Sequence, residues 1–376
     1  MRNWRMTPAM KYSIMSLRKQ PFRTAFTIGA GALCSMLILF LLSVYNGVEV
    51  GSMSYIRHNK ADFWVLQEGA MNIMRGSSIL LSAHGDALKQ IPGVSHVAPV
   101  LFVLAQAEAN GRSSTIYIVG FNPQDTLGGP PQIVSGRNIE KAGEIVLDKS
   151  FALKEGIHAG DEVTIHRETL KVVGISAGTN MFVIQYAFTT LEQARLTLGY
   201  PNIVSCYLVR LSNPQDRVSI AKRIREDVPG IEIFEQDKFL DNNLREMRAG
   251  FLPILLIVSA ISAFVLAVIL TAILIMNISE SRKDFAVVMI LGSPPSFLPS
   301  LITGQAMLLS LSGSIISLFL FFPSAAFLEN VFPELSTETD LLHILAVLSI
   351  AVVIGILSSL ISFRKLKRIY PLEAFE

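Results

Sequence analysis

Four long apolar stretches, separated by polar segments, dominate the pattern of hydrophobic and polar positions along this chain. The first runs without a charged residue from Thr24 to Asn46, and the second runs from Ala249 to Ser279. A bilayer core of about 30 Å is crossed by about 20 apolar helical residues, so each stretch is long enough for a transmembrane helix. The pattern predicts four spanning helices, at residues 24–46, 251–278, 299–322 and 341–363.

The third apolar stretch is too long to be one helix. It begins at Phe285, runs for 44 residues without a charged side chain, and contains Pro294, Pro295 and Pro299 near its start. Proline removes a backbone donor and breaks the interior of a helix. We therefore expect a short interfacial helix at about 284–292 before the third spanning helix begins.

Charged residues between the spans are sorted by sign. The N-terminal segment 1–23 carries six basic residues and no acid, and segment 364–376 opens with four basic residues in five positions. The loop 323–340 contains acidic residues and no basic ones. Basic segments stay on the cytoplasmic side of a membrane. We expect both termini and the segment 279–298 in the cytoplasm, and residues 47–250 outside it.

Residues 47–250 have the pattern of an α+β domain. Short runs rich in β-branched and aromatic residues are typical of strands. They occur at 63–66, 114–119, 144–147, 162–165, 169–175 and 205–211. The fold class predicted for the whole chain is therefore a membrane protein with four transmembrane α-helices and one large α+β extracytoplasmic domain between the first and second helices.

A weak internal repeat subdivides this domain. Two helical stretches are each followed by a Pro-Gly turn and a new apolar run, at Ile91–Val94 and at Val228–Ile231. The repeat predicts a split α/β, porter-like subdomain built from about 52–122 and 203–240. The intervening residues, about 128–200, are richer in glycine and short strands, and we expect them to form a β-rich insertion.

The segment Glu280–Ser293 joins the second and third spans and has four charged residues in its first five positions. A short loop between spans is usually polar simply because it is wet. Here, however, Phe285, Met289 and Gly292 recur at the i, i+4, i+7 spacing of a surface helix. Such a helix would lie along the membrane and present its charged start to a partner.

Small residues punctuate two of the spans. Gly29 and Gly31 lie in the first, and Ser259, Ala263 and Ala267 follow one face of the second at i, i+4, i+8. Small residues let helices approach closely in lipid, where association depends on packing. Packing within the chain and a dimer seam between two copies of it both explain this pattern.

Composition and motifs exclude several classes of function. Hydrophobic residues make up 51% of the chain and charged residues only 16%, and the net charge of +2 is too small to indicate nucleic acid. The phosphate-binding pattern Gly-x-x-x-x-Gly-Lys-Ser/Thr is absent, so ATP would have to be bound by another protein. The six histidines show no ligand spacing, and the two cysteines lie in unlike segments. We expect no catalytic site, metal site or cofactor.

The chain resembles the permease subunits of ABC transporters of the MacB/FtsX type (type VII, mechanotransmission). The resemblance rests on four patterns: the amphipathic segment Ser16–Gly29 that runs into a Gly-rich first span, the charged segment Glu280–Ser293, the ending Pro371–Phe375, and the glycine-containing runs 135–139, 143–147, 156–161 and 172–175. Two shorter patterns, Ala61–Gln67 and Ser77–Leu80, resemble the DevC-like branch. Ala286 stands where the family usually has glycine, and Val288 where a basic residue is common.

The resemblance implies a function and partners. Such a permease pairs as a homodimer in the bacterial inner membrane and binds a separate cytoplasmic ATPase, whose ATP hydrolysis moves the extracytoplasmic domain. The residues implied in coupling to the ATPase are Glu280, Arg282, Lys283, Asp284, Leu291 and Gly292. The leading expectation is export of a lipid or hydrophobic compound with a periplasmic adaptor protein. The alternatives are FtsX-like signalling to a cell-wall hydrolase and extraction of lipoproteins from the membrane.

Overall fold

Among the residues that the computed structural model describes, which are 8–73, 78–181 and 184–366, four helices are long and apolar enough to cross a membrane. They are α2 (Pro21–His58), α7 (Gln236–Glu280), α9 (Phe297–Val331) and α10 (Leu341–Leu366). There are also two shorter helices: α1 (Pro8–Lys19) precedes α2, and α8 (Arg282–Ile290) lies between α7 and α9 in sequence. The expectation of four apolar helices, with a large domain between the first and second, is confirmed.

The chain forms two compact units. The helical unit contains the described residues up to 44, together with 254–327 and 339–366. The sheet unit contains residues 45–253 and 328–338. The connection between α9 and α10 therefore belongs with the sheet unit, although it follows a spanning helix in sequence.

Close approach of α2 and α9 organises the helical unit. A Cβ atom built on Gly313 would lie 3.0 Å from the carbonyl carbon of Gly31, so the two backbones nearly touch. One helical turn further along α2, the hydroxyl of Ser35 is hydrogen-bonded over 2.9 Å to that of Ser314, the residue that follows Gly313. Small residues permit the approach, and a hydroxyl pair satisfies its polar groups where lipid offers no partner.

Three of the spanning helices are longer than the apolar pattern indicates. Helix α2 continues past residue 46 to His58, α7 begins at Gln236 rather than at 251, and α9 continues past 322 to Val331. The extra turns of α2 and α7 are polar on one side and pair with each other, since Arg248 donates to Glu49 over 3.2 Å. Hydropathy measures the apolar length of a helix and cannot show where the helix itself ends.

The sheet unit contains a ten-stranded sheet, a separate pair of short strands, β2 (Leu80–Leu81) and β10 (Ile203–Val204), and among its helices the short α4 (Lys149–Glu155) and α5 (Leu191–Leu198). The first four neighbouring strands of the ten-stranded sheet are β12 (Ile231–Glu235), β1 (Phe63–Gln67), β11 (Cys206–Leu211) and β3 (Val94–Ala109), each antiparallel to the next. Helix α3 (Ser82–Gln90) connects β1 to β3, and α6 (Arg217–Asp227) connects β11 to β12. Two β-α-β units are thus interleaved, which is the ferredoxin-like split arrangement. The repeated Pro-Gly turns lie at matching places in the two units, and this explains the repeat.

The insertion continues the same sheet. Beyond β3 the strand order is β4 (Arg112–Phe121), β9 (Gln185–Thr190), β6 (Glu144–Asp148), β8 (Glu168–Ser176) and β5 (Ile133–Gly136), while β7 (Glu162–Ile165) pairs with β3 and β8. Five of the six runs predicted as strands fall within strands of the structure, and the sixth, 205–211, coincides with β11 except for Ser205. In this order β4 lies between β3 and β9.

The connection between α9 and α10 is attached to the insertion. The Lys154 ammonium forms an ion pair with Glu334, and the Asn180 side-chain amide donates to the Glu334 carbonyl over 2.8 Å. The last turns of α2 lie against the same region, where a Cβ atom on Gly47 would be 2.0 Å from the Ser336 carbonyl oxygen. These contacts hold the acidic connection between α9 and α10 against the insertion and the end of α2.

Candidate functional site

The charged segment forms helix α8, as the spacing of its apolar residues indicates. Only Ser281 separates α8 from α7, and the backbone hydrogen bonds run across this residue. Ser281 N–H donates to Asn277 over 3.0 Å, and Phe285 N–H donates to Ser281 over 2.9 Å. The backbone hydrogen bonding of α7 therefore continues through Ser281 into α8.

One face of α8 is packed into the helical unit. Phe285 is 3% exposed and Ala286 is fully buried. Phe285 shares an apolar cluster with residues of α7 and α9, and Tyr12 of α1 and Phe363 of α10 pack against the cluster. The buried position of Ala286 requires a small side chain, so alanine fills the role of the usual glycine. Through Phe285, α8 is tied to four other helices at one end of the unit.

The opposite face of α8 is open. Lys283 and Asp284 are exposed, and so are Val287, Ile290 and Leu291. A surface that combines charges with apolar side chains is typical of a protein contact, because the apolar groups contribute burial and the charges contribute register. The side chain of Arg282 lies outside the part of the structure that is described.

Gly292 ends α8. Its φ angle of 82° is in the left-handed region that glycine adopts freely, and Ser293 N–H donates to the Val288 carbonyl over 3.3 Å. This is the Schellman arrangement, in which a residue beyond the helix satisfies one of its last carbonyl groups. Pro294 and Pro295 follow at once and prevent the helix from continuing. The two prolines are therefore part of how the helix is terminated.

Glu280, by contrast, is engaged within the chain. Arg23 of α2 donates two hydrogen bonds of 2.8 Å to its carboxylate, and Gln20 donates one of 2.6 Å. Arg23 also donates to Gln20 over 2.8 Å, so the three side chains form one network. Of the predicted coupling residues, Lys283, Asp284 and Leu291 lie exposed on or beside α8, Gly292 caps the helix, and Glu280 holds it to α2.

Sequence reasoning missed Arg23 and Gln20 as members of this site. Both lie in the N-terminal pattern on which the resemblance rests, but Arg23 was counted only as part of a basic segment. A single acid at the end of one span and a single base at the start of another give no sign that they meet. The ending Pro371–Phe375 and Ser77 lie outside the described residues.

Comparison with known proteins decides the family. Residues 24–227 match the model of the MacB-like periplasmic core domain, and residues 256–371 match that of the FtsX-like permease C-terminal domain. The chain belongs to the MacB/FtsX family of ABC transporter permeases. Residues 24–227 contain the insertion and the split β-α-β units except their last strand, β12, and residues 256–371 contain α8.

The alignments with related permeases extend over almost the whole of this chain. An uncharacterized ABC transporter permease of Mycobacterium tuberculosis is 24% identical over 96% of this chain and 97% of its own. The putative hemin transport system permease protein HrtB of Staphylococcus haemolyticus is 21% identical over 91% and 92%. The periplasmic region of MacB from Actinobacillus actinomycetemcomitans aligns with 50% of this chain and 94% of its own, at 13% identity and a TM-score of 0.39.

The small residues of this MacB/FtsX permease are used mostly within the chain. Gly31 lies against Leu266 and Gly313, at 3.6 and 3.8 Å from a Cβ built on it. Ala263 and Ala267 pack on the apolar clusters between the spans, and Ser259 is half-buried. Gly29 differs, because a Cβ there would meet nothing within 4 Å. Packing within the chain therefore accounts for Gly31, Ala263 and Ala267, and leaves Gly29 facing outward.

The described residues contain no group of three or more histidine, cysteine, aspartate or glutamate side chains that could hold a metal ion. Buried polar side chains of the helical unit are serines, threonine and glutamine, among them Thr27, Ser314 and Gln305. No lysine, arginine, aspartate or glutamate is buried among the described residues of that unit. The chemistry available in its interior is hydrogen bonding between small uncharged groups.

Proposed function

We propose that this permease couples ATP hydrolysis by a separate cytoplasmic ATPase to movement of its sheet unit, and thereby drives export of a lipid or hydrophobic compound. The observation that carries the proposal is the two-faced construction of α8. One face is anchored by Phe285 to α1, α7, α9 and α10, and the other exposes Lys283, Asp284 and Leu291. A partner that pushes on the open face of α8 therefore acts on the spanning helices that pack against its buried face.

The uncharged interior of the helical unit supports this mechanism. Ionisable side chains inside a membrane are costly and mark the paths of ions and polar substrates. The described part of this unit buries none. A device that transmits movement requires no such path, since its cargo is handled by the domain outside. Relatedness to a protein named as a putative hemin transport permease supports a hydrophobic cargo.

The proposed orientation has both termini and α8 in the cytoplasm, and the sheet unit outside the cytoplasmic membrane. The basic segments before α2 and after α10 support it, as does the acidic connection between α9 and α10. A periplasmic adaptor protein is proposed as the partner of the sheet unit. In this proposal ATP is bound by the ATPase subunit.

The experiment that tests coupling reverses charge on α8. Arg282→Glu combined with Lys283→Glu is expected to abolish co-purification of the ATPase encoded beside this permease, while membrane insertion is unchanged. Lys222→Glu combined with Arg225→Glu, an equal reversal of charge at two exposed residues of α6, serves as the control and is expected to leave co-purification intact. Undiminished co-purification of the double variant would remove α8 from the coupling surface.

Export is tested separately in cells. A strain that lacks the permease is expected to be hypersensitive to hydrophobic toxic compounds, hemin among them, and the wild-type gene should restore resistance. The double variant on α8 should fail to restore it although it reaches the membrane. Full resistance in the deletion strain would count against export and favour a signalling role.

We propose that the permease acts as a homodimer, with Gly29 as the seam residue that packing within the chain leaves free. Gly29→Cys is expected to cross-link two copies in membranes treated with an oxidant, in a Cys34→Ser background. Gly31→Cys provides the matched control, because Gly31 faces α9 within the same chain. Equal cross-linking at the two positions would contradict a specific seam at Gly29.

A further inference from the structure

A groove in the helical unit is not explained by coupling or by dimer formation. It has a volume of about 420 Å³ and is lined by α1, the start of α2 and the middle of α9. Leu17, Pro21, Ile28 and Leu308 contribute apolar walls, and Arg18 lies at the rim. Thr24 also lines the groove, but its hydroxyl donates to the Leu17 carbonyl over 2.8 Å and so offers no free donor. The interior is suited to an aliphatic chain.

The position of the groove indicates what fills it. Helices α2 and α9 are two of the four that are long and apolar enough to cross a membrane. Next to the groove, Phe22 is 91% exposed and Phe26 is 71% exposed. On a helix long and apolar enough to cross a membrane, such side chains are covered by other apolar groups rather than by water, because removal of apolar surface from water is favourable. The groove therefore opens towards acyl chains of the bilayer.

The charges at the rim select one class of lipid. Helix α1 carries three basic residues, Lys11, Arg18 and Lys19, and no acidic residue. Arg23 is neutralised by Glu280, but Arg18 and Lys19 are exposed and have no acidic partner in the part of the chain that is described. Basic residues at a membrane surface attract anionic headgroups, and a phosphate accepts charge-assisted hydrogen bonds from arginine and lysine.

We propose that this groove binds an anionic phospholipid of the surrounding bilayer, with one acyl chain in the groove and the phosphate at Arg18, which lines the groove, and at the exposed Lys19, the next residue of α1. The lipid then holds α1 against α2 and α9. A direct contact already links two of these helices, because the Ser13 hydroxyl donates to the Leu301 carbonyl over 3.0 Å. The bound lipid extends that attachment to the far end of α1.

Binding is tested on the purified full-length permease in detergent. Phosphatidylglycerol and phosphatidylcholine with identical acyl chains are titrated separately, and bound lipid is counted by native mass spectrometry. Phosphatidylglycerol is expected to bind more tightly, and each basic residue at the rim should contribute about a factor of five. Equal affinity for the two lipids would overturn the assignment of the headgroup.

Two variants separate the parts of the site. Arg18→Gln with Lys19→Gln should remove the preference for phosphatidylglycerol, whereas Lys222→Gln on α6 should preserve it. Leu308→Trp should fill the groove and reduce binding of both lipids, whereas Leu320→Trp, an exposed position on the same helix, should not. Undiminished lipid binding by Leu308→Trp, in protein that elutes as the wild type does, would refute the groove as the site.

The same variants distinguish the lipid from the ATPase. The variant Arg18→Gln with Lys19→Gln is expected to keep the ATPase bound, because α8 carries the proposed ATPase contact. Loss of the ATPase with unchanged lipid preference would assign Arg18 and Lys19 to the ATPase and overturn the lipid site.

Discussion

Arg23 and Glu280, which are 257 positions apart in the chain, form a two-point ion pair in which both hydrogen bonds are 2.8 Å long. The pair joins the start of α2 to the last residue of α7, directly before α8. It neutralises the first acid of the charged segment inside the chain. Lys283 and Asp284 remain as the charges that α8 presents outward.

Exchanging the two charges tests whether this pair positions α8. Arg23→Glu or Glu280→Arg alone places like charges together, and should lower stimulation of the ATPase by the permease. The double exchange should restore it. The ion pair itself is partly exposed, so we expect each single change to cost about 1 kcal/mol or less in stability. Stimulation is measured with purified complexes, and failure of the double exchange to restore it would make Glu280 a direct contact of the ATPase.

Gly292 is required by the left-handed turn that ends α8. Gly292→Ala places a Cβ atom in a backbone conformation with φ of 82° and should cost about 1–2 kcal/mol at that turn. Gly292→Asn should be better tolerated, because asparagine adopts this conformation more readily than alanine. ATPase stimulation should follow the order glycine, asparagine, alanine. An alanine variant as active as the wild type would show that the cap is not needed for coupling.

Glycines of α2 should differ sharply in their tolerance of a methyl group. Gly47→Ala and Gly51→Ala each place a Cβ atom 2.0 Å from a backbone carbonyl oxygen, of Ser336 and Asn180 respectively. Overpacking of this kind costs about 1–3 kcal/mol or more, so the unfolding temperature should fall. Gly29→Ala meets nothing and gains up to about 1 kcal/mol of helix propensity. Thermal unfolding of the purified variants compares them, and equal effects would contradict the close approach.

Acid should destabilise the sheet unit through Glu144. Arg137 donates hydrogen bonds of 2.9 and 2.5 Å to this nearly buried carboxylate and lowers the pKa of Glu144 from 4.5 to about 2, against the effect of burial. Because the folded pKa is lowered, the stabilisation is complete above pH 4.5 and is lost as the pH falls towards 2.

The measurement is denaturant unfolding followed by the fluorescence of the buried Trp64 at several pH values. Glu144→Gln should be less stable at neutral pH and should show a weaker dependence on acid than the wild type. The control is Glu140→Gln, whose exposed carboxylate lies 3.6 Å from Arg137. An identical pH profile for Glu144→Gln and the wild type would refute the role of this carboxylate.

Cysteine labelling tests the orientation of the chain. In a Cys34→Ser background, Glu338→Cys lies in the exposed part of the connection between α9 and α10 and should react with a membrane-impermeant maleimide on intact cells. Lys11→Cys should react only after the membrane is opened. Cys206 is fully buried and should stay silent. The opposite pattern of labelling would reverse the proposed topology.

Much of the architecture follows from local patterns. Apolar stretches of membrane length predicted α2, α7, α9 and α10, and the two Pro-Gly turns predicted matching halves of the sheet unit. The helical spacing in Glu280–Ser293 predicted α8. Each of these is a property of neighbouring residues, since the periodicity of a helix or strand is expressed over a few positions.

The partners of individual side chains could not be predicted in the same way. Glu280 is predicted as a coupling residue from its place in the charged segment, and only the tertiary structure shows that it is paired with Arg23. The small residues left two interpretations open, and only the approach of α9 assigned Gly31 to packing within the chain. The connection after α9 was expected to be a simple loop, yet it is bound to the insertion through Lys154 and Glu334.

The sequence by itself determined that the chain spans a membrane four times, carries one large α+β domain, and lacks a phosphate-binding loop of its own. Tertiary structure decided which charged residues of the segment Glu280–Ser293 are paired within the molecule and which are exposed on α8. The physical reason is range. Hydrophobic periodicity is written locally along the chain, whereas a charge is satisfied by whatever folding brings within about 3 Å of it, here a residue 257 positions away.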